Sequence, residues 1–127
     1  MKEKLKLLKK ALENNTKPIL FTSSDYSMFD NYTILDVSVS IDDLNGHYEG
    51  TNYLPPEWYQ CLCNSKNKLL IIDNMDNISK EEQKKFIEIL KYKKVGVFPL
   101  PKESKIFITS KNISVIDSEV LSYCVVI

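Results

Sequence analysis

No arginine occurs in the 127 residues; all 17 basic side chains are lysines, matched by 17 carboxylates. This absence removes the planar, permanently charged fork that stabilises transferring phosphoryl groups. The zero net charge leaves no global field to attract nucleic acid. Glycine is scarce at three residues, and histidine is a single residue, His47, with no evident acidic or nucleophilic partner. Three cysteines, an odd number without a secretory signal, argue against a disulfide framework. Cys61 and Cys63 form a lone C-x-C pair, insufficient for a zinc site and expected to be buried structural thiols. No apolar run approaches the ~20 residues of a membrane span. The opening MKEKLKLLKKALENN lacks the uninterrupted apolar segment of a signal peptide, so a cytoplasmic location is expected.

What is present reads as one α/β domain over residues 1–127. Leu5, Leu7, Leu8, Ala11 and Leu12, with lysines between them, have the period of an amphipathic helix over about 3–14. PILFTSS (Pro18–Ser24) and TILDVSVS (Thr33–Ser40) read as strands. IDDLNGHYEGTNYLPPEW, with two glycines and two prolines, reads as a loop. Pro56 suits the first turn of a helix through Leu62. KLLIIDNM (Lys68–Met75) is the strongest strand, apolar as expected where both sheet faces are covered. Ser79, with Glu82 three residues on, forms a capping box before a helix with Phe86, Ile87 and Leu90 on one face. VGVFPLPKES is a loop or short hairpin, KIFITSKN (Lys105–Asn112) a strand, DSEVLSYC a short helix and VVI a last strand. Strands alternating with helices predict a three-layer domain with a mostly parallel sheet. Ligands of such sheets sit at the strands' carboxyl ends, where Asp73 and Asn112 are expected.

From Lys17 onward the chain resembles the AAA+ ATPase core, a branch of the P-loop NTPases. LLIIDNMD is similar to the Walker B strand, with Asp73 at the magnesium aspartate. KEEQKKFIEILKYKKVG resembles the helix after it. KIFITSKN resembles the sensor 1 strand, with Asn112 at the polar position. VIDSEVLSYCVVI is similar to the segment that carries an arginine finger just before the last core strand.

The departures fall on the chemistry. A P-loop needs glycines whose N–H groups cradle phosphates, and a lysine for the terminal ones. After PILF the chain reads TSSDYSMFDNYT, with neither. Roughly nine residues separate the two strands, too few for a crossover helix. In extended form they span about 30 Å, enough to close the sheet. The glutamate that would polarise water is replaced by Asn74, whose amide cannot act as a base. Tyr123 occupies the arginine-finger position. The chain closes where the family's helical lid begins, so sensor 2 is expected to be missing. The start methionine and compact order of elements lead us to expect a whole chain rather than a piece of a larger ATPase.

These readings predict a catalytically inactive AAA+-like domain, acting as a protein-interaction or assembly module. No cofactor is expected, neither nucleotide nor magnesium. The expected partner is another protein, an active AAA+ homologue being one, and the expected state is a monomer or small dimer. Contacts are expected at Tyr53, Trp58, Val97 and Phe98, with the Val95–Pro101 loop, or at the VVI edge strand. Two alternatives compete. A metal-dependent hydrolase would use Asp36, Asp73 and Asp76, although Asp73 and Asp76 are weak metal candidates beside their local capping roles. A response-regulator receiver would use Asp73, Thr109 and Lys111, but PILFTSS lacks the acidic pair and VVI the lysine that receivers need.

Overall fold

The computed structural model describes residues 6, 7, 10, 11, 13, 17–23, 27 and 29–127. In chain order it has β1 (Ile19–Phe21), β2 (Thr33–Asp36), α1 (Ile41–Asn45), β3 (His47–Glu49), β4 (Asn52–Leu54) and α2 (Glu57–Asn64). Then come β5 (Leu69–Asp73), α3 (Lys80–Gln83), α4 (Ile87–Tyr92), β6 (Lys94–Val95) and β7 (Phe98–Pro99). The last elements are β8 (Lys105–Thr109), α5 (Ser118–Ser122) and β9 (Val125–Val126).

Five strands form one sheet in the order β2-β5-β8-β1-β9, every pairing parallel. The chain is therefore an α/β domain on a parallel sheet. Strand alternation divides the side chains between two faces. Leu20, Leu35, Leu70, Ile72, Ile106 and Ile108 meet Trp58, Leu62, Phe86, Leu90 and Val120 from the helices on one side. Ile19, Phe21, Leu69, Ile71 and Phe107 pack with Ala11, Phe29 and Tyr32 on the other. β5 is buried on both faces, which is why it has no polar residue before Asp73. Burying each of its Leu and Ile side chains is worth about 1.5–3 kcal/mol.

The passage from β1 to β2 reaches past β8 and β5 to the far edge of the sheet. Among the described residues of 22–32 none is helical. Aromatic rings stand in for the apolar face of a helix: Phe29 meets Phe107 edge-on at 5.1 Å. The Asn67 amide donates to the Asp30 carbonyl at 2.9 Å, and the Ser65 hydroxyl to the Asn31 carbonyl at 3.2 Å. Of the expected N-terminal helix, residues 6, 7, 10, 11 and 13 are helical, with Ala11 buried and Leu7 exposed. Leu5, Leu8 and Leu12 lie outside the described residues.

Three expectations are corrected. The stretch read as a loop contains α1, capped by the Ser40 hydroxyl on the Asp43 N–H, followed by the β3–β4 hairpin. It also starts α2 one residue after Pro56, which is the cap rather than part of the first turn. Cys61 and Cys63 are exposed. The buried face of α2 is carried by Trp58 and Leu62, four residues apart, and Cys61 and Cys63 flank that stripe. The VGVFPLP segment is a hairpin, β6 against β7.

Candidate functional site

Asp73 ends β5, with its side chain at the carboxyl edge of the sheet. It stands between Asp36 on β2, its register partner, and Thr109 at the end of β8. The fully buried Thr109 hydroxyl donates to Asp73 Oδ1 at 2.6 Å and accepts the Asn74 N–H at 2.7 Å. The Asn74 amide donates to Asp73 Oδ2 at 3.1 Å. Asn74 adopts the left-handed conformation, φ 59° and ψ 54°, which asparagine tolerates better than most residues. This turn swings the chain into a single 3-10 turn at Met75–Asn77.

The remaining carboxylates are bound locally. Asp36 Oδ1 accepts from the Ser38 N–H at 2.8 Å and its hydroxyl at 2.7 Å. The Ser38 N–H first, and then its hydroxyl, hold the Asp36 carboxyl below the usual carboxylate range. Asp76 Oδ2 accepts the Lys111 N–H at 3.3 Å, while its Oδ1 is buried without a hydrogen-bond partner among the described residues. Among the described residues, no group of three or more His, Cys, Asp or Glu side chains gathers as a metal ion would require.

Asn112 lies beyond the end of β8, exposed, and its side-chain oxygen accepts from the Ser114 N–H and hydroxyl. The polar side chain that β8 presents to Asp73 is Thr109, three residues earlier. β-branched and buried, it looks in sequence like another strand filler. Tyr123 is half-buried after α5, and the Lys91 ammonium lies 5.9 Å from its ring centre.

The expected contact residues gather elsewhere, where the two hairpins meet α2. Tyr53 lies 5.3 Å from Tyr48 and 5.6 Å from Phe98, and Phe98 stacks on Tyr59 at 6.0 Å. The Tyr59 hydroxyl donates to the Pro99 carbonyl at 2.6 Å, and that of Tyr53 to the Asn45 carbonyl. Burial above all pushes both phenols up in pKa. Trp58 belongs to the core, its indole N–H donating to the Leu44 carbonyl at 2.9 Å. Tyr48, Val97 and Phe98 are exposed.

No helix among the described residues is long and apolar enough to cross a membrane. Compared with protein-family models and with curated proteins, the chain matches none.

Proposed function

We propose that the chain is an AAA+-like core that does not hydrolyse ATP and works as a protein-interaction or assembly module. The observation that carries this reading is the occupation of Asp73. Both its oxygens hold hydrogen bonds, from Thr109 and Asn74, where a magnesium–nucleotide site needs an aspartate open to the metal's water shell. The residues around it do not fit that group: the connection after β1 offers neither glycine nor lysine, and the next position is Asn74. The AAA+-like part of the reading is supported by the Asp73 and Thr109 strands lying side by side and parallel in mid-sheet. A receiver has the sheet order 2-1-3-4-5. Here β5 and β8 separate β2 from β1, which counts against that alternative.

Titration calorimetry with magnesium–ATP tests the proposal, with no binding expected. A micromolar dissociation constant would overturn it. Light scattering supplies the assembly arm: the mass is expected to stay that of a monomer or small dimer whether or not nucleotide is added, and a hexamer contradicts the proposal.

A further inference from the structure

Beside β2 lies an open groove of about 830 Å³. All four residues of β2 line one wall, and α1 with the start of α2 forms the other. Among the described residues β2 pairs only with β5, so its outer side is an edge of the sheet. Ile34 is 45% exposed there, and Pro55 adds apolar surface. The charges around this edge are one-sided. Asp36, Asp42, Asp43 and Glu57 line the groove, and Lys85 stands at its margin, its ammonium donating to the Val39 carbonyl at 2.8 Å. The lining is therefore acidic in a chain of zero net charge.

We infer that this groove docks an extended, lysine- or arginine-bearing segment of a partner protein, added to the sheet as a strand alongside β2. The inference rests on the proposed interaction role and deepens it by naming the partner's chemistry. A strand edge offers backbone hydrogen bonds to any extended chain, so affinity comes from the main chain and selectivity from side chains. Asp42, Asp43 and Glu57 supply that selectivity for a cationic segment, Asp36 being already engaged by Ser38. β2 is four residues long, about 13 Å at the rise of a strand, enough to hold a peptide of four to six residues.

The probe is a fluorescein-labelled peptide, acetyl-Lys-Val-Lys-Val-Lys-Val-amide, titrated against the whole chain by fluorescence anisotropy. Binding is expected to weaken at least tenfold when Asp42→Asn, Asp43→Asn and Glu57→Gln are combined. It is also expected to weaken at least tenfold when N-methylvaline removes the peptide's N–H donors, and to fall as sodium chloride rises. Amide chemical shifts of the unaltered protein should move at Thr33–Asp36, which keeps the test valid even if the triple variant folds poorly. Equal binding of a Glu-Val peptide would overturn the charge argument, and equal binding of the N-methylated peptide would overturn strand addition. No binding at all would mean the carboxylates guard the edge against pairing. A dimer broken by Ile34→Lys would mean a second copy fills the groove, which also overturns the inference. Calorimetry with magnesium–ATP on the same sample separates the two proposals: nucleotide binding defeats the inactive-core reading, and peptide results bear on the groove.

Discussion

Gly96→Ala probes the joint between the two hairpins. Gly96 has φ +55°, and a Cβ built there would fall 2.6 Å from Tyr53 Cζ and closer still to its hydroxyl. Tyr53 cannot easily retreat, because its ring contacts Tyr48 and Phe98 while its hydroxyl is held by Asn45. Gly50 supplies the control, with φ +63° and open space around the same position. A left-handed alanine costs about 1–2 kcal/mol. The stiffer unfolded chain returns about 0.4–1 kcal/mol. Gly50→Ala should therefore destabilise by about 1 kcal/mol. Gly96→Ala adds the cost of overpacking a ring, about 1–3 kcal/mol, for a total of about 3 kcal/mol. For a domain of this size that is a fall of about 10 °C in Tm. Urea unfolding of both variants measures the difference directly. In a Tyr53→Ala background the excess cost of Gly96→Ala should shrink below about 0.5 kcal/mol, since the two effects share one contact. Equal costs for the two glycine substitutions would refute the reasoning, because the ring would then not abut Gly96.

Thr109→Val removes a buried hydroxyl that serves both Asp73 and the Asn74 N–H, and should cost about 2 kcal/mol, with Thr109→Ser recovering most of it by urea unfolding. Gln83 is fully buried, donating to the Ile78 and Val115 carbonyls and accepting the Asp117 N–H at 2.7 Å. Gln83→Ala should cost about 3 kcal/mol in the same assay, because it leaves a cavity and strands the buried Asp117 N–H and two part-buried carbonyls. Burial pushes the Cys124 thiol up to about 12. At pH 8 only about one Cys124 side chain in ten thousand is then thiolate, so iodoacetamide and mass spectrometry should find the exposed Cys61 and Cys63 labelled and Cys124 spared until denaturant is added. Raising the pH toward 12 in the folded state should bring Cys124 into reaction.

The sequence was most legible where burial imposed a pattern. Leu69–Ile72 and Ile106–Ile108 are apolar because sheet faces press on them from both sides, so β5 and β8 are readable as runs. Ser79 was readable because a cap needs a short polar side chain at one position, and it accepts the Glu82 N–H. At the last helix Asp117 and Ser118 were equally fit for that position, and Asp117 is the one that accepts the Glu119 and Val120 N–H groups. The β3–β4 hairpin was hidden for the opposite reason. His47, Tyr48 and Glu49 are all exposed, so no buried face imposes alternation, and the glycines around them look like loop punctuation. At the candidate site Asp73 was legible as the polar end of an apolar strand. Thr109 was not, because a buried hydroxyl on a β-branched residue has the same pattern as a valine until its partner across the sheet is known. Asn112 drew attention as the last residue of the run read as a strand, but β8 ends three residues earlier, at Thr109.

The position of β1 constrains how the chain is made. Both its neighbours come from far along the sequence: Ile19 lies opposite Phe107 on β8 and Val125 on β9. Synthesis proceeds from the N-terminus, so Ile19–Phe21 leaves the ribosome long before either neighbour exists. Within the five-stranded sheet, a nascent chain that has reached Asp73 can pair only β2 with β5. Throughout that interval the apolar ILF triplet is a sticky strand without a template, and at each moment a holdase chaperone or an accidental neighbour competes for it. Slowing translation between residues 74 and 105 should lengthen that exposure and lower the soluble yield. Of the sheet's strands, β1 is made first and waits longest for its neighbours.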